Sequence, residues 1–119
     1  MVLRGVVVEG KKLGRKLGFP TANFLISESV AVENGVYRSC VVIDGVEYKA
    51  ATNIGNNPTI GVESRRAESY IIDFDGDLYG RTIEIKLCEK IRNELKFNNI
   101  EALRAQIIKD VSMIKDVEK

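Results

Sequence analysis

The most constraining feature of the chain is a series of five short runs rich in β-branched and aromatic residues, separated by turn residues. Such runs are typical of strands. Two of them are separated only by Asp44-Gly45, which is a strong hairpin signal. Parallel strands would need a crossover helix between them, so this spacing favours an antiparallel Greek-key barrel. The predicted strands cover residues 3–9, 36–43, 46–54, 68–74 and 82–89.

The pattern changes near the C-terminus, where apolar residues recur at helical spacing. Asn98 and Glu101 precede this stripe at a spacing that resembles a capping box. We therefore expect a mainly β fold with a C-terminal amphipathic helix packed on the sheet. At 119 residues and 45% hydrophobic composition, the chain is expected to form one domain over residues 1–119. The helical stripe consists of Ile100, Leu103, Ile107, Val111 and Ile114.

The composition argues against several classes of functional site. The 18 Lys and Arg residues nearly balance the 17 Asp and Glu residues, so no global field draws the chain to nucleic acid or membrane. The chain has no His, which argues against a zinc site and a Ser-His-Asp mechanism. Cys40 and Cys88 lie in alternating apolar runs and are expected to be buried thiols. With no secretory segment and no apolar run of about 20 residues, we expect a soluble cytoplasmic protein.

The segment "GKKLGRKLGFP" at residues 10–20 combines glycines at every fourth position with four cationic side chains. A helix is disfavoured because each glycine costs roughly 1 kcal/mol relative to alanine. In a loop, glycines let backbone N–H groups turn toward an anion. The segment therefore suggests a phosphate-binding loop, although the Gly-Lys-Ser/Thr ending of the Walker motif is missing. The alternative is a solvated basic loop.

Pro20 fixes the backbone and begins an extended segment. Thr21 and Asn23 then point the same way, so a hydroxyl oxygen and an amide oxygen converge. Such oxygens suit Mg²⁺ that takes its other ligands from water and substrate phosphates. The alternative is an ordinary strand start.

Phosphoryl transfer to a hydroxyl also needs a carboxylate to orient or deprotonate the nucleophile. In "ESYIIDF", alternation predicts Glu68 on the same, more apolar face as Tyr70, Ile72 and Phe74. Glu68 is therefore a functional carboxylate or a salt-bridged strand residue. Asp75 and Asp77 lie in a glycine turn, where turn chemistry explains them.

At this point a family resemblance becomes specific. The segments "GRKLGFPTANF", "NGVY", "ATNIGNNPT", "ESYIIDFDGDLYG", "IRNELKF" and "ALRAQIIKD" occur in the order and at the spacings of riboflavin kinases. The chain resembles the kinase domain in the C-terminal half of bacterial bifunctional FAD synthetases over roughly residues 3–112. The resemblance implies a six-stranded antiparallel Greek-key β-barrel with a C-terminal α-helix. It also implies transfer of the ATP γ-phosphate to the ribityl 5′-hydroxyl of riboflavin, giving FMN and ADP.

The same resemblance implies roles for individual residues. Thr21 and Asn23 would hold Mg²⁺, and Glu68 would act as the base. Two further sets are expected to bind the substrates. The nucleotide would be covered by Gly14, Arg15, Gly18 and Pro20, and the flavin would be contacted by Arg92, Glu94 and Phe97.

The chain departs from many relatives at two places. Glu9-Gly10 replaces His-Gly, and Ser69-Tyr70 replaces Val-His after the glutamate. Because phosphoryl transfer depends chiefly on positioning and charge stabilisation, these changes bear on fine contacts. The adenylyltransferase half and its motif are absent, so we expect no synthesis of FAD from FMN.

The alternatives are a nucleic-acid-binding barrel that uses the cations of residues 11–16, and a flavin-binding barrel without catalysis. No aromatic residues interleave with those cations to form a stacking platform. We therefore expect ATP and riboflavin as partners, no nucleic acid, no membrane, and a monomer.

Overall fold

The computed structural model describes residues 1–8, 21–26, 30–56, 65–74, 76–94 and 99–115. These residues form six strands and one C-terminal helix. The elements are β1 (Val2–Val6), β2 (Thr21–Leu25), β3 (Gly35–Ile43), β4 (Val46–Asn56), β5 (Arg65–Ile71), β6 (Thr82–Arg92) and α1 (Ile100–Lys115).

The strands form one antiparallel sheet in the order β1-β6-β3-β4-β5-β2. Strands β3, β4 and β5 are successive neighbours, and β6 returns to lie beside β3, which is a Greek-key arrangement. Just after β1, Val8 N donates a hydrogen bond of 2.7 Å to Asn23 O in β2. This bridge brings the two ends of the sheet together and forms a nearly closed barrel. The predicted fold class is confirmed.

The hairpin between β3 and β4 has the predicted turn. Asp44 and Gly45 have φ values of 51° and 80°, so both central residues lie in the left-handed region. This is the pattern of a type I′ turn, whose twist matches that of the two strands. The turn fixes the β3–β4 register from Gly35 opposite Ile54 to Ile43 opposite Val46.

A cluster of inward-facing apolar side chains fills the barrel. Gly5 is required here because a Cβ on residue 5 would lie 2.6 Å from the ring of Phe24. The absent side chain therefore lets β1 approach the Phe24 ring of β2 closely. The buried members of this inner cluster are Leu3, Val7, Ala22, Phe24, Tyr37, Val41, Ile43, Ala50, Ile54, Ala67, Ile71, Leu78, Ile83, Ile85 and Leu87.

Three hydroxyl groups form a chain inside the barrel. Ser39 Oγ donates to Ala50 O at 3.0 Å, and Thr52 Oγ1 lies 2.6 Å from Ser39 Oγ and 2.7 Å from Ser69 Oγ. Each hydroxyl therefore has a partner, as buried polar groups require. Ser69, one of the two residues that replace Val-His, is accommodated because its hydroxyl bonds to that of Thr52.

Helix α1 packs against the outside of the barrel. Ile107, Val111 and Ile114 are buried, as the helical stripe predicts. At the N-terminus, Asn99 Oδ1 accepts a hydrogen bond of 2.8 Å from Ala102 N, so Asn99 is the cap. Asn98, which the sequence suggested for this role, lies outside the described residues. No helix in the described ranges is long and apolar enough to cross a membrane.

A buried ion pair joins α1 to the barrel. Arg92 Nη2 at the end of β6 lies 2.8 Å from Asp110 Oδ2, and Arg92 Nε contacts both carboxylate oxygens. Gln106 Nε2 donates a further hydrogen bond of 3.0 Å to Asp110 Oδ1. The side chains of Arg92 and Asp110 are 19% and 4% exposed. Both charged groups are therefore largely removed from water, and each compensates the desolvation of the other.

Strand β5 differs from its predicted position. It begins at Arg65 and ends at Ile71, because Asp73 adopts a left-handed conformation with φ of 59° that ends the alternation. The predicted position of Phe74 on the Glu68 face is therefore wrong. Phe74 packs against the inner cluster, with its ring 5.2 Å from that of Tyr48.

The expectation for the cysteines is wrong for Cys88, which is exposed, while Cys40 is half-buried. Both thiols lie on the outer face of the sheet. In β6 the inward positions belong to Ile83, Ile85 and Leu87, so alternation directs Cys88 outward.

Asp110→Ala should lower the free energy of unfolding by ~3–5 kcal/mol, because it leaves the Arg92 guanidinium buried without its partner. Urea unfolding of the purified protein measures this change. Glu33→Ala is the matched control, since it breaks the ion pair with Lys90 while Glu33 is 80% exposed. The control should cost about 1 kcal/mol or less. Equal losses in the two variants would contradict a stabilising role for the buried pair.

Candidate active site on the outer face of the barrel

Strand alternation puts the predicted site residues on the outer face. In β2, Ala22 and Phe24 point into the barrel, so Thr21 and Asn23 point outward. In β5, Ala67 and Ile71 point inward, so Glu68 points outward. Thr21 and Asn23 therefore share one face of an extended strand, as their spacing predicts. Asn23 is 5% exposed, whereas Thr21 is half-buried.

The strand register brings these residues into one line across the barrel. Asn23 of β2 is opposite Glu68 of β5, which is opposite Asn53 of β4. Asn53 is opposite Val36 of β3, which is opposite Arg92 of β6. We call these five residues the outer row. Neighbouring strands lie about 4.8 Å apart, so the three steps from Glu68 to Arg92 cover about 14 Å of barrel surface.

Thr21 lies two residues before Asn23 on β2 and is opposite Tyr70 of β5. Its hydroxyl therefore belongs to the row next to the outer row, beside Tyr70. Residues directly opposite each other have Cβ atoms about 5 Å apart. Thr21, Asn23 and Glu68 thus form one polar group on neighbouring strands.

The Glu68 carboxylate has a hydrogen-bond donor on its own strand. Tyr70 Oη donates to Glu68 Oε1 at 3.2 Å. Tyr70 is 7% exposed and packs in the outer apolar cluster under α1. Burial, followed by the Glu68 charge and this hydrogen bond, raises the pKa of the Tyr70 hydroxyl well above its ordinary value. The hydroxyl is therefore a donor throughout the neutral range.

Glu94 lies over β4 just after the end of β6. A Cβ on residue 55 would overlap the Glu94 carboxylate, so Gly55 provides the space that this side chain occupies. Burial raises the pKa of the Glu94 carboxyl above its ordinary value of 4.5, and a hydrogen bond from Asn53 opposes that rise. Since a carboxylate only accepts hydrogen bonds, this contact assigns the Asn53 amide nitrogen to Glu94.

Two outward-facing side chains have polar atoms without partners among the described residues. Asn53 Oδ1, Arg66 Nε and Arg66 Nη1 are buried and make no hydrogen bond within that part of the chain. Asn53 is opposite Glu68, and Arg66 is two residues before Glu68 on the same face of β5. Unpaired buried polar groups are costly and uncommon in native structures. An amide oxygen and a guanidinium with unmet hydrogen bonds therefore flank the Glu68 position.

Most of the predicted site residues that fall in the described ranges come together on this face. Thr21, Asn23 and Glu68 are neighbours, whereas Arg92 and Glu94 lie toward β6, with Arg92 committed to Asp110. The other predicted residues, Gly14, Arg15, Gly18, Pro20 and Phe97, lie outside the described residues.

The sequence analysis did not identify Asn53 or Arg66 as residues of this face. It also did not predict the hydrogen bond from Tyr70 to Glu68. Asn53 was within a quoted motif, and alternation from Ile54 would have directed it outward. Its alignment with Glu68 depends on the β4–β5 register. Within the described ranges, no group of three or more Cys, Asp or Glu side chains is placed to hold a metal ion.

Comparison with known proteins gives a consistent match. The family model described as Flavokinase: Riboflavin kinase matches residues 1–118. A bifunctional riboflavin kinase/FMN adenylyltransferase of Haemophilus influenzae is 40% identical over 112 residues, which are 93% of this chain and 36% of that protein. An RNA-binding riboflavin kinase of Bacillus subtilis is 40% identical over 114 residues, which are 95% of this chain and 49% of that protein. The chain thus spans less than half of each of these relatives.

Solved structures share the fold. A crystal structure described as a macrolide-efflux protein from Streptococcus pneumoniae has a TM-score of 0.84 and 34% identity, covering 98% of this chain and 39% of that one. The crystal structure of riboflavin kinase from Trypanosoma brucei has a TM-score of 0.65 and 30% identity. It covers 97% of this chain and 77% of that chain.

Glu94→Gln should increase stability at pH 7 and change it little at pH 4. The native pKa of Glu94 is raised, so the folded state keeps its proton at pH values where the unfolded chain has lost it. Stability due to this group is therefore present at low pH and decreases as pH rises through the carboxyl range. Thermal unfolding of both proteins at the two pH values measures the difference. A stability difference that is the same at pH 4 and pH 7 would contradict the raised pKa of this carboxyl.

Proposed function

The chain belongs to the riboflavin kinase family, and we propose that it transfers the γ-phosphate of ATP to the ribityl 5′-hydroxyl of riboflavin, giving FMN and ADP. The observation that carries the proposal is the adjacency of Asn23 and Glu68 in the β2–β5 register. This pairing brings neutral oxygens suited to a phosphate-bound cation next to a carboxylate suited to a hydroxyl nucleophile.

In this proposal Glu68 orients the ribityl hydroxyl and takes its proton. The hydroxyl oxygen forms a bond to the γ-phosphorus, and the bond between that phosphorus and the β–γ bridging oxygen breaks, so that ADP leaves. The transfer needs little covalent chemistry from the protein, and positioning with charge stabilisation provides most of the catalysis. The half-buried position of Glu68 beside Tyr70 supports a carboxylate of fixed orientation.

Thr21 and Asn23 would hold Mg²⁺. The donor set fits this ion, because both side chains offer neutral oxygens on one face and Asn23 is 5% exposed on a strand that is paired on both sides. When bound, Mg²⁺ neutralises charge on the nucleotide phosphates. Gly14, Arg15, Gly18 and Pro20 remain the predicted nucleotide contacts, on the strength of the sequence motif alone.

The flavin would extend from Glu68 past Asn53 in the direction of Glu94 and Arg92. Val36, which lies between Asn53 and Arg92 in the row, is 5% exposed and belongs to the outer apolar cluster with α1. A substrate with a hydroxyl-bearing tail and a remote ring system would therefore contact the row at Glu68 and Asn53 and continue over Glu94. The buried polar atoms of Asn53 and Arg66 that lack a partner in the described ranges favour a polar ligand in the same region. Phe97 remains a predicted contact to the ring system.

We further propose that small molecules are the only partners, and that the protein acts as a monomer in the cytoplasm. One relative is named as RNA-binding, but this chain spans 49% of it. The near balance of 18 cationic and 17 anionic side chains supports substrate binding over nucleic-acid binding.

The decisive experiment is a riboflavin-dependent kinase assay. We expect ADP release from Mg-ATP that requires riboflavin, with FMN identified by mass. ADP release that is independent of riboflavin, or the absence of FMN, would contradict the proposal. Flavin binding without use of Mg-ATP would indicate a non-catalytic flavin-binding barrel instead.

Glu68→Gln should lower kcat by about 10² or more, the scale of a lost general base, while ATP binding stays largely intact. The matched control is Glu89→Gln, which changes an exposed strand glutamate paired with Arg38. Kinase assays and nucleotide titrations on both variants give the comparison. If Glu68→Gln turns over as fast as the wild type, Glu68 is not the base.

Thr21→Ala and Asn23→Ala should each weaken Mg-ATP binding by about tenfold or more, the scale on which the loss of a group that supports a metal ion lowers affinity. Binding of ATP with excess chelator should change much less. Isothermal titration measures both affinities. Leu25→Ala provides the control, because Leu25 is 53% exposed on the same face of β2. Unchanged Mg-ATP affinity in both variants would show that Thr21 and Asn23 only begin a strand and hold no metal ion.

A further inference from the structure

Tyr70 occupies a position between the candidate catalytic carboxylate and the C-terminal helix. It follows Glu68 by two residues on β5, so both side chains point outward. Its ring belongs to the outer apolar cluster, which also contains Ile107 and Val111 of α1. Its hydroxyl donates to Glu68 Oε1 at 3.2 Å. One side chain thus packs against α1 and donates to the carboxylate.

The charges around Tyr70 extend this link. The Arg92 charge lowers and the Asp110 charge raises the pKa of the Tyr70 hydroxyl, and these two side chains form the buried ion pair that attaches α1 to β6. The ring is held from the helix side by apolar packing and from the barrel side by β5. The Tyr70 ring therefore lies between β5 and the apolar cluster that includes α1.

We propose that Tyr70 is a positioning residue that fixes the orientation of the Glu68 carboxylate for phosphoryl transfer. A glutamate side chain has three rotatable bonds, and a hydrogen bond to one carboxylate oxygen restricts them. Near-attack geometry is sensitive to displacements of about 1 Å, so a fixed donor on Glu68 contributes to the rate. The inference rests on the proposed kinase function of Glu68.

The simpler role for Tyr70 is packing against the helix, and Tyr70→Phe separates the two. The variant keeps the ring and removes only the hydroxyl. We expect kcat to fall about tenfold, the rate equivalent of one charge-assisted hydrogen bond, with KM for riboflavin and for Mg-ATP changed by less than about twofold. In the Glu68→Gln background, the same substitution should produce no further loss.

Tyr37→Phe is the matched control. Tyr37 is also buried, at 8% exposure, and its hydroxyl donates to Glu33 O at 2.7 Å, but its ring belongs to the inner cluster. We expect its kcat to equal that of the wild type. An unchanged kcat for Tyr70→Phe, or an equal loss with and without Glu68, would overturn the proposal.

A second measurement does not depend on activity. In a double-mutant cycle on urea unfolding, Tyr70→Phe and Glu68→Ala should be non-additive, because either change removes the same hydrogen bond. Additive effects would overturn the positioning role even in an active enzyme. Wild-type protein that releases no riboflavin-dependent ADP would instead overturn the proposed function, and with it the catalytic part of this inference, whatever the cycle gives.

Discussion

The register between β2 and β5 is the constraint on which the candidate site depends. Asn23 faces Glu68, and Thr21 faces Tyr70, because the two strands pair antiparallel from Thr21 to Leu25. Side chains on a strand alternate, so a slip of one residue would turn Ala22 and Phe24 out of the barrel and the polar side chains in. Burial of the Phe24 ring at 1% exposure opposes that slip. Core packing and site assembly therefore have the same physical cause.

Closure of the barrel reinforces this register. Phe24 occupies the space that Gly5 leaves open, and the hydrogen bond from Val8 to Asn23 joins the end of β1 to β2. The backbone of Asn23 thus pairs with Val8 while its side chain faces outward. A residue held from both sides of the sheet is well suited to present a ligand oxygen at a fixed place.

Much of the fold follows from local sequence. Asp44-Gly45 predicts the β3–β4 turn and the helical stripe predicts α1, because turn chemistry and helical period are local properties. The first and last residues of β5 could not be predicted from local sequence. Arg65 and Arg66 do not resemble a strand start, yet pairing with β4 and β2 extends β5 to them. The left-handed Asp73 then sends Phe74 toward Tyr48, a result of tertiary packing rather than of alternation.

The candidate site likewise combines residues that local sequence predicts with residues that only the tertiary structure reveals. Thr21, Asn23 and Glu68 were predicted from residue type and spacing, because each belongs to a short motif whose chemistry is readable locally. Asn53 and Arg66 emerge only from the β4–β5 register and from burial of polar atoms that have no partner in the part of the chain that the structure describes. The contact between Tyr70 and Glu68 depends on the position of the ring under α1, which no local pattern specifies.

The central claim is that Asn23, Glu68 and Asn53 of the outer row form a single substrate-binding surface. The most direct test is nuclear magnetic resonance of the side-chain amides of Asn23 and Asn53 as FMN and Mg-ADP are added. We predict that Asn23 shifts with Mg-ADP and Asn53 with FMN, while the backbone amides of the inner Ser39 and Val41 stay nearly unchanged. Shifts confined to residues away from the outer row, with both asparagine amides unaffected, would contradict the claim.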